Sequence, residues 1–306
     1  MHGNIRYLKR ADIDIAKWDN CIENSSNGLI YGYSYYLDTM ARHWDALVLG
    51  DYEAVMPLTW NRKWTIHYLY QPPFTASLGI FGNRLNEDIC KNFIASIPQH
   101  FKLVEIELNA GNIFDNGTQG ISQRNNYVLS LNKPYSEITK GYKDNVKRNV
   151  RKAQQLECLY VKEVPIDKVI HLSSEIMGKI SNLKADDYER FKKLYTLLKS
   201  KNAATTRGIY SLQNELVASC VYFFSNNRCY YILVGNHPNG KTMGASHFLI
   251  DRFIEEFSNQ NLVLDFEGSD LGNIAFFYSS FGATLETYPS LRVNRLPWWV
   301  KALRRI

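Results

Sequence analysis

The sequence predicts an α/β (α+β) protein made of two tandem units, each a mixed, mostly antiparallel sheet flanked by helices. Three observations lead there. The chain has 306 residues, more than one ordinary core supports, so two domains are expected. Hairpin patterns and helical stripes alternate along it, as they do in mixed α/β units. The order of elements in the first half also recurs in the second at near-equal spacing. The hairpin turn at Glu53 and the later strand at Glu107 lie 54 positions apart, and the matching points Glu215 and Glu267 lie 52 apart.

In the first half, Ile13, Ile15, Trp18 and Ile22 give a helical stripe between Ala11 and Ser25. A second helix is expected near Tyr33 to His43. ALVLG-DYE-AVMPLTW reads as a hairpin turning around Asp51 and Glu53. HYLYQPPF reads as a strand stopped by Pro72 and Pro73, because proline cannot donate to a sheet ladder. A helix from Asp88 to Phe101 follows, then the strands LVEIELN and NNYVLSL.

The second half repeats this order. Helices are expected over Ile166 to Gly178 and Asp186 to Ser200. GIYSL-QNE-LVASCVYFFS reads as a hairpin, and an Asn226-Asn227 turn leads into RCYYILVGN. A helix from Gly244 to Phe257 carries Ala245, Leu249, Phe253 and Phe257 on one stripe. LVLDF is apolar without alternation, the pattern of a strand buried on both faces. A helix from Gly272 to Phe281 and a strand near Leu291 complete the chain. The units are drawn as 1–132 and 159–306, with a basic linker helix in 133–158.

Composition narrows the function. The apolar share is 45% and the charged share 22%, both ordinary for a globular protein. A net charge of +6 suits an anionic small ligand and is too weak to argue for duplex nucleic acid. Twenty Tyr and fifteen Phe suit sheets and clefts for flat or sugar-like ligands. Cys21, Cys90, Cys158, Cys220 and Cys229 form no C-x-x-C pair, which speaks against a disulfide framework and for a reducing compartment. The opening MHGNIRYLKRADID has no apolar core of a signal peptide, so a cytoplasmic location is expected. His67, His100, His171 and His247 have no ligand spacing, and no metal is expected.

Between the halves, Tyr142, Val146, Val150 and Ala153 share one side of a helical wheel, with Lys143, Lys147, Arg148, Arg151 and Lys152 on the other. This is either a solvated face or an anion-binding one, with Arg148, Arg151 and Lys152 as candidate contacts to an acidic substrate group. Further on, Gly240, Lys241 and Gly244 open directly into a helix. Such a loop presents backbone N–H groups and a positive dipole to a phosphate. DFEGSD then ends the buried strand with Asp265 and Glu267, candidates for a general base or for partners of a nearby Arg. FFYSSFGA places Tyr278 one helical turn before a glycine stop.

These three segments, in this order, resemble the GNAT acyltransferase superfamily. Its pyrophosphate loop follows R/Q-x-x-G-x-G/A, and Lys241-Thr242-Met243-Gly244-Ala245-Ser246 matches it in part. The resemblance implies an acyl-CoA donor held by Lys241, Thr242, Gly244, Ala245 and Ser246. A strand N–H at Val234 or Gly235 would polarise the acyl carbonyl, Glu267 or a water would take the amine proton, and Tyr278 would protonate the leaving group. The basic helix NVKRNVRKA together with DFEGS and F-x-x-F-G-A resembles, more narrowly, the FemABX-like branch, whose members carry two GNAT-like domains. That branch implies an aminoacyl-tRNA as the other donor and a small-molecule or peptide-bearing acceptor such as a cell-envelope (peptidoglycan) precursor. Two features depart from it. Tyr278 stands where the cell-wall enzymes carry Lys in F-K-x-x-F-G, and residues 165–200 leave no room for a coiled-coil arm. A non-catalytic protein that binds an envelope precursor or peptide is the alternative. The tail LPWWVKALRRI, with Trp298 and Trp299 beside Lys301, Arg304 and Arg305, either packs on the body of the protein or makes a peripheral membrane contact.

Overall fold

A computed structural model describes residues 4–177, 183–268 and 270–296. The tail residues Trp298, Trp299, Lys301, Arg304 and Arg305 lie outside the described residues. In chain order the first half holds β1 (Ile5–Leu8), α1 (Ile15–Asn24), α2 (Ser34–Met40), β2 (His43–Leu49), β3 (Ala54–Lys63), β4 (Ile66–Leu69), β5 (Phe81–Gly82), α3 (Glu87–Ala95), β6 (Phe101–Glu107) and β7 (Ile121–Ser130). Then come α4 (Tyr135–Ile138), α5 (Asp144–Gln155), β8 (Leu159–Lys162), α6 (Ile166–Met177), α7 (Ala185–Ser200), β9 (Ala204–Tyr210), β10 (Leu216–Ser225) and β11 (Arg228–Asn236). The chain closes with α8 (Pro238–Met243), α9 (Ala245–Phe257), β12 (Val263–Asp265), α10 (Gly272–Ser279) and β13 (Thr284–Asn294).

Local chemistry sets the ends. The Asp14 carboxylate accepts from the Lys17 N–H and starts α1, and Asn86 does the same for Ile89 and α3. Helix α3 stops at Ala95, short of the expected Phe101, because Pro98 lacks a helical N–H and crowds the residue before it. Helix α10 ends before Gly282, whose φ of 80° is left-handed and whose missing Cβ would lie 3.2 Å from Gly141 Cα.

The chain divides into two compact units, 1–124 with 287–306 and 125–286. The first unit orders its strands β1-β2-β3-β4-β6-β13, and the second β8-β9-β10-β11-β12-β7. The two orders match strand for strand. In each, one neighbouring pair is parallel, β4 with β6 and β11 with β12, and the other pairs are antiparallel. Two helices follow the first strand of each unit, α1 and α2 or α6 and α7. The boundaries drawn at 132 and 158 do not coincide with this division. Strand β7 belongs to the first half of the sequence but pairs with β12 in the second unit, and the end of β13 belongs to the second half but pairs with β6 in the first.

The basic helix is likewise no linker. Val146, Val150 and Ala153 of α5 are buried in the core of the second unit with Phe248, Leu249, Phe253 and Phe281. The first unit buries Trp18, Tyr36, Met56, Phe81, Phe93 and Val104. Among the described residues no helix is long and apolar enough to cross a membrane.

Candidate functional site

The site expected near the end of β12 begins with a parting of strands. Strand β11 pairs with β12 only through Arg228, Cys229 and Tyr230, against Val263, Leu264 and Asp265. Beyond that point β12 turns off through Glu267 and Gly268, with φ of 63° and 78°. Strand β11 runs on to Asn236. A bulge lies in it, since Val221 pairs with Leu233 but Tyr222 pairs with Tyr231, leaving Ile232 as the extra residue. From Tyr231 onward one edge of β11 therefore meets no strand among the described residues.

Register decides which N–H groups face that edge. The His237 N–H donates to Val217 O at 3.0 Å, on the β10 side. Bonding direction alternates along an antiparallel strand, so the Gly235 N–H also faces β10, while the N–H groups of Val234 and Asn236 face the open edge. Of the pair Val234 and Gly235, only Val234 is placed to polarise a carbonyl there. Gly235 has a packing role, because a Cβ on it would lie 2.8 Å from Leu172 Cγ of α6.

The carboxylates of DFEGSD separate just as sharply. Asp265 is buried and fully engaged. It accepts from Arg228 at 2.6 Å, from Asn126 Nδ2 at 2.9 Å and from the Glu267 N–H at 2.8 Å. Arg228 also grips both oxygens of Glu286, each at 3.0 Å. Burial would raise the Glu286 carboxyl, but Arg228 and Asn126 outweigh it, and the net shift is downward. Asp265 is thus held as a structural anchor between Arg228, Asn126 and the Glu267 backbone. Its hold on the Glu267 backbone fixes the turn that swings the Glu267 side chain inward.

Glu267 has no such partner among the described residues. Its Oε1 is buried without a hydrogen bond from any of them. Burial raises its carboxyl well above the usual carboxylate range. Once ionised, a carboxyl in that state is a stronger base than a solvated one. Tyr278 stands beside it. Its ring stacks on Phe266 at 4.7 Å and meets Tyr231 edge-on at 6.3 Å, where β11 parts from β12. Burial, then the charges of Cys220, Glu267 and Asp265, raise its phenol, so it stays a proton donor.

The glycine-rich segment differs from expectation. Residues Pro238 to Met243 form the short helix α8, and the chain reverses at Gly244, φ 78°, into α9. A Cβ on Gly240 would lie 2.2 Å from Val217 O, and one on Gly244 would lie 2.5 Å from Asn149 O of α5. These glycines admit neighbouring backbone, so they are not open surface for a phosphate. Lys241 and Thr242 are exposed, with Thr242 Oγ1 donating to Asn239 O, and Ala245 is buried. Ser246 Oγ donates to Asn236 Oδ1 at 2.6 Å and ties α9 to the end of β11. The part of the expected cradle that stays available is the first turn of α9. It has no side-chain cap, and the N–H groups of Ala245, Ser246 and His247 precede the first helical bond, from Phe248 N–H to Gly244 O.

Arg148, Arg151 and Lys152 lie on the exposed face of α5, and none makes an ion pair among the described residues. One residue that the sequence offers only as an unlikely metal ligand is His247, in the first turn of α9. Its ring lies 4.7 Å from Phe277 and 5.8 Å from Phe281, and its Nε2 is buried without a partner among the described residues. Burial holds the imidazole down to about 4, so it is neutral at pH 7. Only its place just after the glycine could have signalled it. Among the described residues no group of three or more His, Cys, Asp or Glu side chains is arranged to hold a metal.

The architecture has clear counterparts among solved structures. A structure of FemX aligns with a TM-score of 0.66 at 11% identity, covering 97% of this chain and 99% of that one. A conserved protein of unknown function from Bacteroides thetaiotaomicron aligns with a TM-score of 0.59 at 12% identity, covering 94% and 99%. L-PGS from Bacillus licheniformis aligns with a TM-score of 0.52 at 12% identity, covering 95% of each. No protein-family model matches the sequence, and no curated protein matches it. The chain thus has a FemX-like fold, a mixed α/β architecture with mostly antiparallel sheets flanked by helices.

Proposed function

We propose that the second unit is an acyl-transfer site, and that the protein is an N-acyltransferase moving an acyl group from a donor to an amine. The observation that carries this reading is the unpartnered, buried carboxyl of Glu267 beside Tyr278, next to the open edge of β11. In the proposed reaction the amine nitrogen attacks the acyl carbon, and the Val234 N–H polarises the carbonyl oxygen. The C–N bond forms and the bond to the leaving atom breaks. Glu267 takes the amine proton, and Tyr278 gives a proton to the leaving group. Holding donor and amine in attack geometry would supply much of the rate.

A phenol at Tyr278 suits a thiolate, so a thioester such as acyl-CoA is the favoured donor. An aminoacyl-tRNA is the second candidate. The fold likeness to FemX and L-PGS supports a transferase of this broad kind, and a cell-envelope precursor bearing an amine is the acceptor class it suggests. Arg148 and Arg151 are suited to an acidic group on either substrate, since guanidinium binds carboxylate or phosphate as a fork. The five cysteines are free and buried, which supports a cytoplasmic setting.

One observation favours a second reading, a non-catalytic binder of an envelope precursor or peptide. The glycines of the expected pyrophosphate loop are backed by the Val217 and Asn149 carbonyls. A thermal-shift titration with acetyl-CoA, longer acyl-CoAs and cell-wall nucleotides separates the two. A donor at 100 times its Kd adds about 2.7 kcal/mol of apparent stability. The transferase reading requires a donor-induced shift and acyl transfer to an amine that is lost in Glu267→Gln. A shift with envelope nucleotides alone and no turnover selects the binder.

A further inference from the structure

We propose that the tip of the β3–β4 hairpin in the first unit docks the protein on an anionic lipid surface. Strands β3 and β4 pair from Trp60 with Leu69 down to Lys63 with Ile66 and close over Trp64 and Thr65. Trp64 sits at the apex with a left-handed φ of 53° and is 81% exposed. Trp18 and Trp44, by contrast, are 0% and 3% exposed. Lys63 Nζ, from the neighbouring residue, lies 5.6 Å from the Trp64 ring. An indole is a large apolar surface to leave in water, and nothing in the hairpin's packing calls for it there.

The charge around it has one sign. Arg62 and Lys63 are exposed, and neither side chain pairs with a carboxylate among the described residues. No Asp or Glu occurs between Glu53 and Glu87, so the hairpin carries no acid. At its base His43 stacks on Trp60 at 4.4 Å, and His67 lies 5.6 Å from the same ring. Lys102, exposed on β6, follows Phe101, which pairs with His67. An apolar ring at the apex with cations just behind it fits the interface of a bilayer. There the indole enters the headgroup region and the cations meet lipid phosphates. A single-stranded nucleic acid calls for a different shape, successive ring platforms along a basic groove. One protruding ring on a turn lacks that form. The hairpin belongs to the first unit, and the proposal is independent of the acyl-transfer reading of the second.

The test is co-sedimentation of the full chain with vesicles of phosphatidylcholine alone and of phosphatidylcholine containing phosphatidylglycerol. The wild type should pellet with the anionic vesicles and not with the neutral ones. Trp64→Ala should weaken that binding by roughly tenfold or more, as expected for losing a large apolar side chain from the interface. Trp64→Phe should keep most of it. Arg62→Gln and Lys63→Gln should each weaken it by roughly fivefold, the loss of one surface cation's attraction. All four variants should melt with the wild type, since the altered side chains are exposed. The proposal is overturned if the wild type ignores anionic vesicles or if Trp64→Ala binds them as tightly as the wild type. It is also overturned if Trp64 proves necessary for single-stranded RNA but not for vesicles.

Discussion

Asp265 and Glu267 lie two positions apart at one strand end, yet their surroundings give them opposite work. Asp265 has Arg228 and Asn126, and Glu267 has no hydrogen-bond partner for a buried oxygen. Burying a polar atom without a partner costs roughly 1–3 kcal/mol, so its presence asks for a use. Replacing Glu267 with Gln should cut turnover by roughly 10²–10⁴, the usual worth of a positioned base. The wild-type rate should rise with pH through the raised Glu267 value, because the base must first lose its proton, and the variant should lose that limb. Stability should move the other way. A carboxyl whose folded value is raised contributes stability that is fully present below its unfolded value, near 4.3, and lost as pH rises through the folded value. The Gln variant should therefore have a higher Tm than wild type at pH values above the folded Glu267 value, because it carries no carboxyl to ionise. A wild-type pH–rate profile in Glu267→Gln would remove it from the mechanism. Tyr278→Phe keeps the ring on Phe266 and deletes one hydroxyl. With a thioester donor it should lower turnover by roughly 10²–10⁴ without shifting Tm, read by thiol release. The sequence marked both residues but could not choose between the two carboxyls, because Asn126 and Arg228 reach Asp265 from distant strands.

At the scale of elements, the glycines were the most misleading signal. A glycine opening a helix suggests a phosphate loop, but Gly244 is required by α5, whose Asn149 O would sit 2.5 Å from any Cβ there. Sequence periodicity placed α9 and the buried stripe of α5 correctly, since each depends on residues within one helix. It could not show that the two pack together, because that contact spans the intervening strands. Gly244→Ala combines left-handed strain with a clash against backbone, and it should destabilise the second unit by roughly 2–4 kcal/mol. The loss should appear first as faster hydrogen exchange in Asp144–Gln155. Unchanged protection of α5 would mean that the helix accommodates a Cβ without shifting.

Across the whole molecule, the repeat of elements was legible as order and spacing, and the structure adds an exchange. Each unit takes its last strand from the other half of the sequence, β7 joining β12 and β13 joining β6. No periodicity could reveal this, because a strand's sequence does not name its neighbour. The repeat also places a carboxylate at matching points of the two units. Glu107, which matches Glu267 in the spacing, is held through Oε1 by Arg292 at 2.6 Å and Arg124 at 3.4 Å, while no cation pairs with Glu267 among the described residues. The exchange has a direct consequence for fragments. A piece ending at residue 132 keeps the second-unit part of β7 without β12 and leaves β6 without β13. A piece starting at residue 133 leaves β12 without β7 and keeps the end of β13 with nothing to pair. Each thereby exposes a long strand edge, which favours aggregation over folding. Expressed alone, neither 1–132 nor 133–306 should show a cooperative thermal transition. Refolded together, they should recover one, because every strand then has its neighbour. A cooperative transition in either fragment alone would mean that the exchanged strand is dispensable and that the unit's core is sufficient without it.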